Sequence, residues 1–246
     1  MLFGKGYVER SYTDVPEFSA YPEFSGSRVP RSQWRDRIDY LNNLQIMPYH
    51  WHRHEQPIMS QKSWPYCWSY GTVGAVKTAY SIQGVGHVDL NAFALAYRIK
   101  NGARRGGFAV EACKGVQEFG IPTHKHLPEF TKTTKWNGKV AGDASRHKLV
   151  EFEELGRRDF DGVVSALIGD RPAPVTLAFS WWKHLVLGLG VTMKKDGTVG
   201  LIIANSWGTG WGSGGLKNGY GIIWGDKAVP YESVVVRAVK AREESR

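Results

Sequence analysis

Cys67 stands at the opening of an apolar stretch with helical spacing, with Trp68 directly after it and Gln61 six residues before it. A thiol acts as a nucleophile only as its thiolate, which a helix N-terminus favours and a neighbouring imidazolium favours more strongly. His184 opens the strand-like run HLVLGLGVTM and offers that imidazole at the mouth of a strand. An imidazole in this task needs a third group to fix its tautomer, and a carboxamide serves. Asn205, at the end of the apolar run in IIANSW, is the candidate. Acyl transfer also needs donors for a developing oxyanion. The Gln61 side-chain amide and the Cys67 backbone N–H suit that work, and one such donor contributes about two to three orders of magnitude in rate. An isolated cysteine is more often a small buried hydrophobe. Cys113, in FAVEACKGVQEFG without such company, is read as core.

The elements that must position these residues change character along the chain. Residues 1–28 read as an extended arm, with Pro-Glu-Phe repeated at 16–18 and 22–24 and too much proline for a helix. The stretch 34–44 could form a short helix, whereas HWHRH at 50–54 reads as irregular. A helix is predicted from Cys67 to about Ile82, another over 89–102 with Asp89 as its cap, a third over 108–120 and a fourth over 159–170. The period then shifts. PVTLAF (174–179), 184–193, 199–207, 220–224 and 233–239 read as strands separated by turns such as Lys195-Asp196-Gly197. Helices first and strands later predict an α+β fold. The polar region 125–160 reads as the boundary between the halves.

The 246 residues suffice for one large domain or two joined halves, and 42% hydrophobic with 22% charged residues is a globular composition. No run of 18 apolar residues predicts a membrane span. With no secretory-type leader after Met1, the expectation is a protein that stays in the cytoplasm or is built into a virion or other assembly. Two cysteines allow one disulfide at most, and both are expected as free thiols. The net charge of +9 raises nucleic acid as a ligand, but the basic residues are scattered and no zinc-finger or RNA-binding signature accompanies them. Nucleic acid is therefore not expected as a partner. His50, His52 and His54 would share a face if extended, as in a zinc site, yet only Glu55 stands near as a further ligand, and no metal is expected. The tail KAREESR reads as solvated.

Gln61, Cys67-Trp68, the later His184 and the block Asn205-Ser206-Trp207-Gly208 together resemble the papain family of cysteine peptidases. His184 and Asn205 follow Cys67 by 117 and 138 residues; in the family both lie roughly 130–150 residues downstream, so the histidine comes somewhat early. The resemblance runs from about Val29 to Val239 and implies a helical left half (about 60–125), an antiparallel β-barrel right half (about 160–240) and a cleft between them, all within a domain of residues 29–246. It implies a cysteine-type endopeptidase with Cys67 as nucleophile, His184 as acid and base, Asn205 as orienter and Gln61 in the oxyanion hole, without a cofactor. GGFAVEACKGVQEFGI is similar to the family's Gly-Gly segment, so Gly106 and Gly107 would pair with an extended peptide substrate. Phe108, Ala178 and Leu185 would line a subsite, and Trp207 would shield the His184–Asn205 bond.

This sequence departs from the family at Trp64 and Tyr66, where a cysteine and a small residue are usual, and these bulky side chains are expected to reshape the primed side. Lys183 precedes the histidine where the family often has Asp or Asn. A rival expectation is a catalytically silent adaptor module of a larger assembly, for example a virus or phage particle, docked through the arm to a protein partner. A third is an enzyme acting on a cell-wall peptide or another amide. The arm itself could dock, be cleaved, or lie in the cleft.

Overall fold

The computed structural model describes residues 4–18 and 22–239, so the KAREESR tail lies outside the described residues. Seven α-helices occur among them: α1 (Trp34–Leu44), α2 (Pro48–Glu55), α3 (Cys67–Ile82), α4 (Ala92–Ile99), α5 (Ala109–Phe119), α6 (Gly138–Ala144) and α7 (Phe160–Ile168). Six strands, β1 (Leu149–Leu155), β2 (Val175–Phe179), β3 (His184–Met193), β4 (Val199–Ala204), β5 (Tyr220–Trp224) and β6 (Glu232–Val239), form one antiparallel sheet ordered β1-β6-β2-β3-β4-β5. The architecture is α+β, as expected.

Helix α3 is the axis of the molecule. Every residue from Cys67 to Ser81 is buried, which requires packing on all sides rather than along one stripe. It contacts α4 and α5 on one flank and β3 and β6 on the other. The close approach of β3 depends on Gly71, where an added Cβ would collide with the Leu185 side chain. A second apolar cluster joins Trp34, Ile38 and Leu41 of α1 to α7 and the far face of the sheet.

Several local expectations change. The 50–54 segment is helical: Pro48 occupies the first turn of α2, where its missing N–H costs nothing. In a helix His52 cannot share a face with His50 and His54. It is buried instead, with Nδ1 2.9 Å from Tyr220 Oη, and no group of metal-ligating side chains occurs among the described residues. Helix α4 is capped by Asn91, whose Oδ1 accepts from Ala94 N at 2.9 Å, whereas Asp89 pairs with His124. The polar region before 160 contains β1, which pairs with β6. Its acids are accommodated because Glu153 meets Arg237 and Glu154 meets Arg10. Tyr66 turns into the helical core and donates to Ala103 O, so its bulk packs against Trp64, Trp68 and Phe93.

Burial holds His52 neutral, its pKa pushed down to about 3, and does the same to His184, lowered to about 4. Unfolded imidazoles titrate near 6.5. Below that pH the unfolded chain takes protons that the folded one refuses, so stability present above about 6.5 is lost as pH falls towards 4 and 3. The melting temperature is expected to decline across pH 6.5 to 4, and less steeply in His52→Gln, whatever that variant's starting value. A slope unchanged in His52→Gln would remove His52 from the account.

Candidate functional site: a thiol cleft filled by the N-terminal arm

Cys67 is the first residue of α3, delivered by the segment 59–66. That segment is stitched to the chain after β4: Gln61 N donates to Ser206 O at 2.8 Å, Gly208 N to Met59 O at 3.1 Å, and Ser60 bridges Trp207. His184 is the first residue of β3, raised on the turn 180–183, whose Lys183 has a left-handed backbone (φ 51°). Asn205 follows β4, the neighbour of β3. Adjacent strands thus bring the two side chains together, and His184 Nε2 donates to Asn205 Oδ1 at 2.8 Å. Because that bond places the proton on Nε2, Nδ1 is left as the lone-pair nitrogen. It has no hydrogen-bond partner among the described residues. The Trp207 ring lies 4.6 Å from the imidazole, centre to centre, with Trp182 at 4.8 Å on an edge. Both His184 and Asn205 are buried beside these rings.

The cleft is occupied by residues 4–8 of the same chain. Gly4 N donates to Lys62 O, and Gly4 O accepts from Gln61 Nε2 at 3.0 Å and Trp207 Nε1 at 3.2 Å. Tyr7 N donates to Lys183 O at 3.3 Å. Gly107 N donates to Gly6 O at 2.9 Å, and Val8 N to Gly107 O at 3.0 Å, forming a parallel bridge at Tyr7. The fit is close at two points. A side chain at Gly4 would run into the carbonyl of Trp64, and one at Gly6 into that of Pro65. Gln61 is itself clamped: its Nε2 also donates to Trp64 O at 2.6 Å and its Oε1 accepts from Ser206 Oγ.

Under this cover water is excluded, and both ionisable groups favour their neutral forms. Burial pushes the Cys67 thiol up to about 12, only partly offset by backbone amides of Leu185, Gly6, Trp68 and Tyr7. Burial likewise lowers His184, against its bond to Asn205, and the Lys5 charge lowers it further.

The structure gathers Gln61, Cys67, His184, Asn205 and Trp207 at one cleft, with Gly106 and Gly107 along its wall against the arm. Ala178 and Leu185 are buried register partners on β2 and β3. Phe108 precedes α5 and lines a groove with Val15, Ile99 and Phe119. Sequence reasoning missed Gly4, Tyr7, Arg10, Ser206 and Glu232. A glycine pair in GKGYVER was a signal for close backbone contact, and an acid opening the apolar run ESVVVRAV was a signal for a buried charge.

No protein-family model matches the sequence. The chain is 27% identical over 189 residues to a cysteine protease of the mite Blomia tropicalis, covering 64% of this chain and 55% of that protein. It thus spans about half the length of the curated relative it matches. Among solved structures, a chain from the study of the mite allergens Blo t 1 and Der p 1 aligns with TM-score 0.63 at 20% identity, over 96% of this chain and 86% of the other. The proform of the ragweed pollen cysteine protease Amb a 11 aligns with TM-score 0.64 at 16% identity, over 97% and 83%. Bromelain from Ananas comosus with the inhibitor E64 aligns with TM-score 0.60 at 17% identity, over 75% and 95%. The fold is that of the papain-like cysteine proteases.

Gly6→Ala is expected to expel the arm. Arg10, buried in the native chain, then becomes a trypsin site, and cleavage there should quicken at least about tenfold in limited digestion. Equal rates would mean the glycine contact does not hold the arm.

Proposed function

We propose that the protein is a cysteine-type endopeptidase held latent by its own N-terminal arm. The observation that carries this reading is the His184–Asn205 hydrogen bond, which leaves Nδ1 as a base in a cleft opened by Cys67 and already shaped to hold an extended chain. With the arm withdrawn, water returns and the charged thiolate–imidazolium pair becomes accessible. Nδ1 takes the Cys67 proton, and the sulfur attacks the scissile carbonyl carbon. The resulting oxyanion is met by Gln61 Nε2 and the Cys67 N–H, the first of which now holds Gly4 O. His184 then gives its proton to the leaving amine, the acyl-enzyme forms, and the same nitrogen activates the water that releases it. Asn205 orients the imidazole throughout. Gly107 pairs with substrate backbone as it now pairs with the arm, and Gly106 lets that backbone approach closely, while Phe108, Ala178 and Leu185 border the side-chain subsites.

The filled cleft also favours a second reading, a silent papain-fold adaptor whose arm is a permanent part of the core. Iodoacetamide labelling at pH 6, resolved between Cys67 and Cys113 by peptide mass spectrometry, separates the two. In the native chain both thiols should react slowly. In Gly6→Ala, Cys67 should react at least about tenfold faster, casein hydrolysis should appear, and His184→Ala in that background should abolish both. Slow Cys67 labelling in Gly6→Ala, with the arm shown by trypsin to be released, would support the adaptor.

A further inference from the structure

The carboxamide that orients the imidazole has two ends of similar size and shape. Asn205 Oδ1 accepts from His184 Nε2 at 2.8 Å, but a half-turn of the amide would present Nδ2 instead. Nδ2 can only donate. His184 would then have to carry its proton on Nδ1, and the lone pair offered to the Cys67 proton would be lost. Whatever keeps the amide the right way round acts on Nδ2. That nitrogen is buried and has no hydrogen-bond partner among the described residues, a costly state for a polar atom.

Asn205 also lines a cavity of about 20 Å³ between α2, α3, β3 and β4. A water needs about 10–15 Å³, so the cavity takes one molecule. Its wall is largely apolar, and four side chains bring polar atoms to it: Asn205, Ser206, His52 and Tyr70. Tyr70 spends its hydroxyl on Glu129 at 2.7 Å. Ser206 Oγ gives its proton to Gln61 Oε1 and has only lone pairs to offer. His52 is kept neutral by burial, with Nδ1 2.9 Å from Tyr220 Oη. That length suits an N–H donor on Nδ1, which leaves Nε2 as an acceptor. Tyr220 is the register partner of Ala204, and Asn205 N donates to Gly219 O, so the His52–Tyr220 pair is built beside the carboxamide.

We infer that His52, as its Nδ1–H tautomer, is a positioning residue for His184, acting on Asn205 through one water in this cavity. The water gives one proton to His52 Nε2 and the other to Ser206 Oγ. Only its lone pairs then face Asn205, so it accepts from Nδ2 and would repel Oδ1. The count of protons fixes the amide, the amide fixes the proton of His184 on Nε2, and Nδ1 stays free to act as base. The effect on rate rests on the peptidase reading, whereas the effect on the His184 tautomer does not.

Two-bond nitrogen–proton correlation spectra of the full chain, labelled with nitrogen-15 in histidine, read both tautomers. His52 is expected with its proton on Nδ1 and His184 with its proton on Nε2. In His52→Leu the acceptor is gone, and the ratio of the two His184 tautomers should move by about tenfold towards Nδ1–H, as loss of one hydrogen bond allows. His52→Gln supplies an amide oxygen instead and should keep the native ratio. Gly74→Ala adds a methyl at the cavity wall, meeting only the Leu187 and Met59 side-chain ends at 3.0 and 3.5 Å, and should displace the water and shift the ratio as leucine does. In the Gly6→Ala chain, His52→Leu should lower kcat on casein by a similar factor with KM little changed, and His52→Gln should restore it. A proton on Nε2 of His52, a His184 ratio unmoved by His52→Leu, or equal effects of leucine and glutamine overturns the inference. If His52→Leu does not fold, the ratio in Gly74→Ala decides. If nothing is hydrolysed, the peptidase reading fails, and the tautomer ratios alone uphold or overturn the role of His52.

Discussion

Exclusion of water from one sulfur and one imidazole governs the state of this molecule. A charged thiolate–imidazolium pair needs either solvent or fixed dipoles around it. Here the backbone of residues 4–8 lies over both groups, and burial raises the thiol and lowers the imidazole together. The N-terminus of α3 and four backbone amides pull the thiol the other way and do not prevail. The closure depends on two contacts in which glycine is the only residue that fits, Gly4 against Trp64 and Gly6 against Pro65. The chemistry of the cleft is thus set by the fit of a segment that does no chemistry.

The scaffold beneath is arranged so that each functional side chain has little freedom. α3 cannot shift because it is packed on every side, and Gly71 lets β3 seat directly against it. β3 and β4 are register partners, so His184 and Asn205 emerge from neighbouring strands at one end of the sheet. Gln61 sits on a segment tied by backbone bonds to the residues immediately after Asn205, and Ser206 holds its carboxamide oxygen. The sheet end that presents the imidazole therefore also presents the amide opposite it.

Legibility in the sequence followed the range of the interactions. Cys67, His184, Asn205 and Gln61 could be singled out because the proposed chemistry demands particular residue types and their neighbours carried a resemblance, and the structure places them at one cleft. α3 and the strands from β2 onward could be read because apolar spacing reports burial directly. Short polar elements could not. PYHWHRHE shows little apolar period, and its helix rests on Pro48 and on burial of His52 against Tyr220, 168 residues away. LVEFEEL looks like surface until Arg10 and Arg237 arrive to neutralise its acids. Asp89 looked like a cap, but Asn91 bonds both Ala94 N and Leu127 O and wins the position. Glu232 is the extreme case, since the buried Arg10 that faces it comes from the opposite end of the chain.

The polarity of the arm explains how a peptide can fill such a cleft and survive. It forms a parallel bridge with Gly107, passing from the Gln61 and Trp207 side towards Gly107 and Val8. Attack by sulfur requires a carbonyl carbon beside the thiol with its oxygen in the donor site. The arm instead offers the sulfur the backbone N–H groups of Gly6 and Tyr7, which are not electrophiles and only stabilise negative charge on sulfur. Its Gly4 carbonyl does reach Gln61 Nε2, so the donor is spent on a bond that leads nowhere. A peptide of opposite direction would exchange these roles, placing a carbonyl where the arm places N–H groups. On the peptidase reading proposed above, the same cleft is inert towards its own chain and reactive towards another, with direction of the backbone, rather than its side chains, making the distinction.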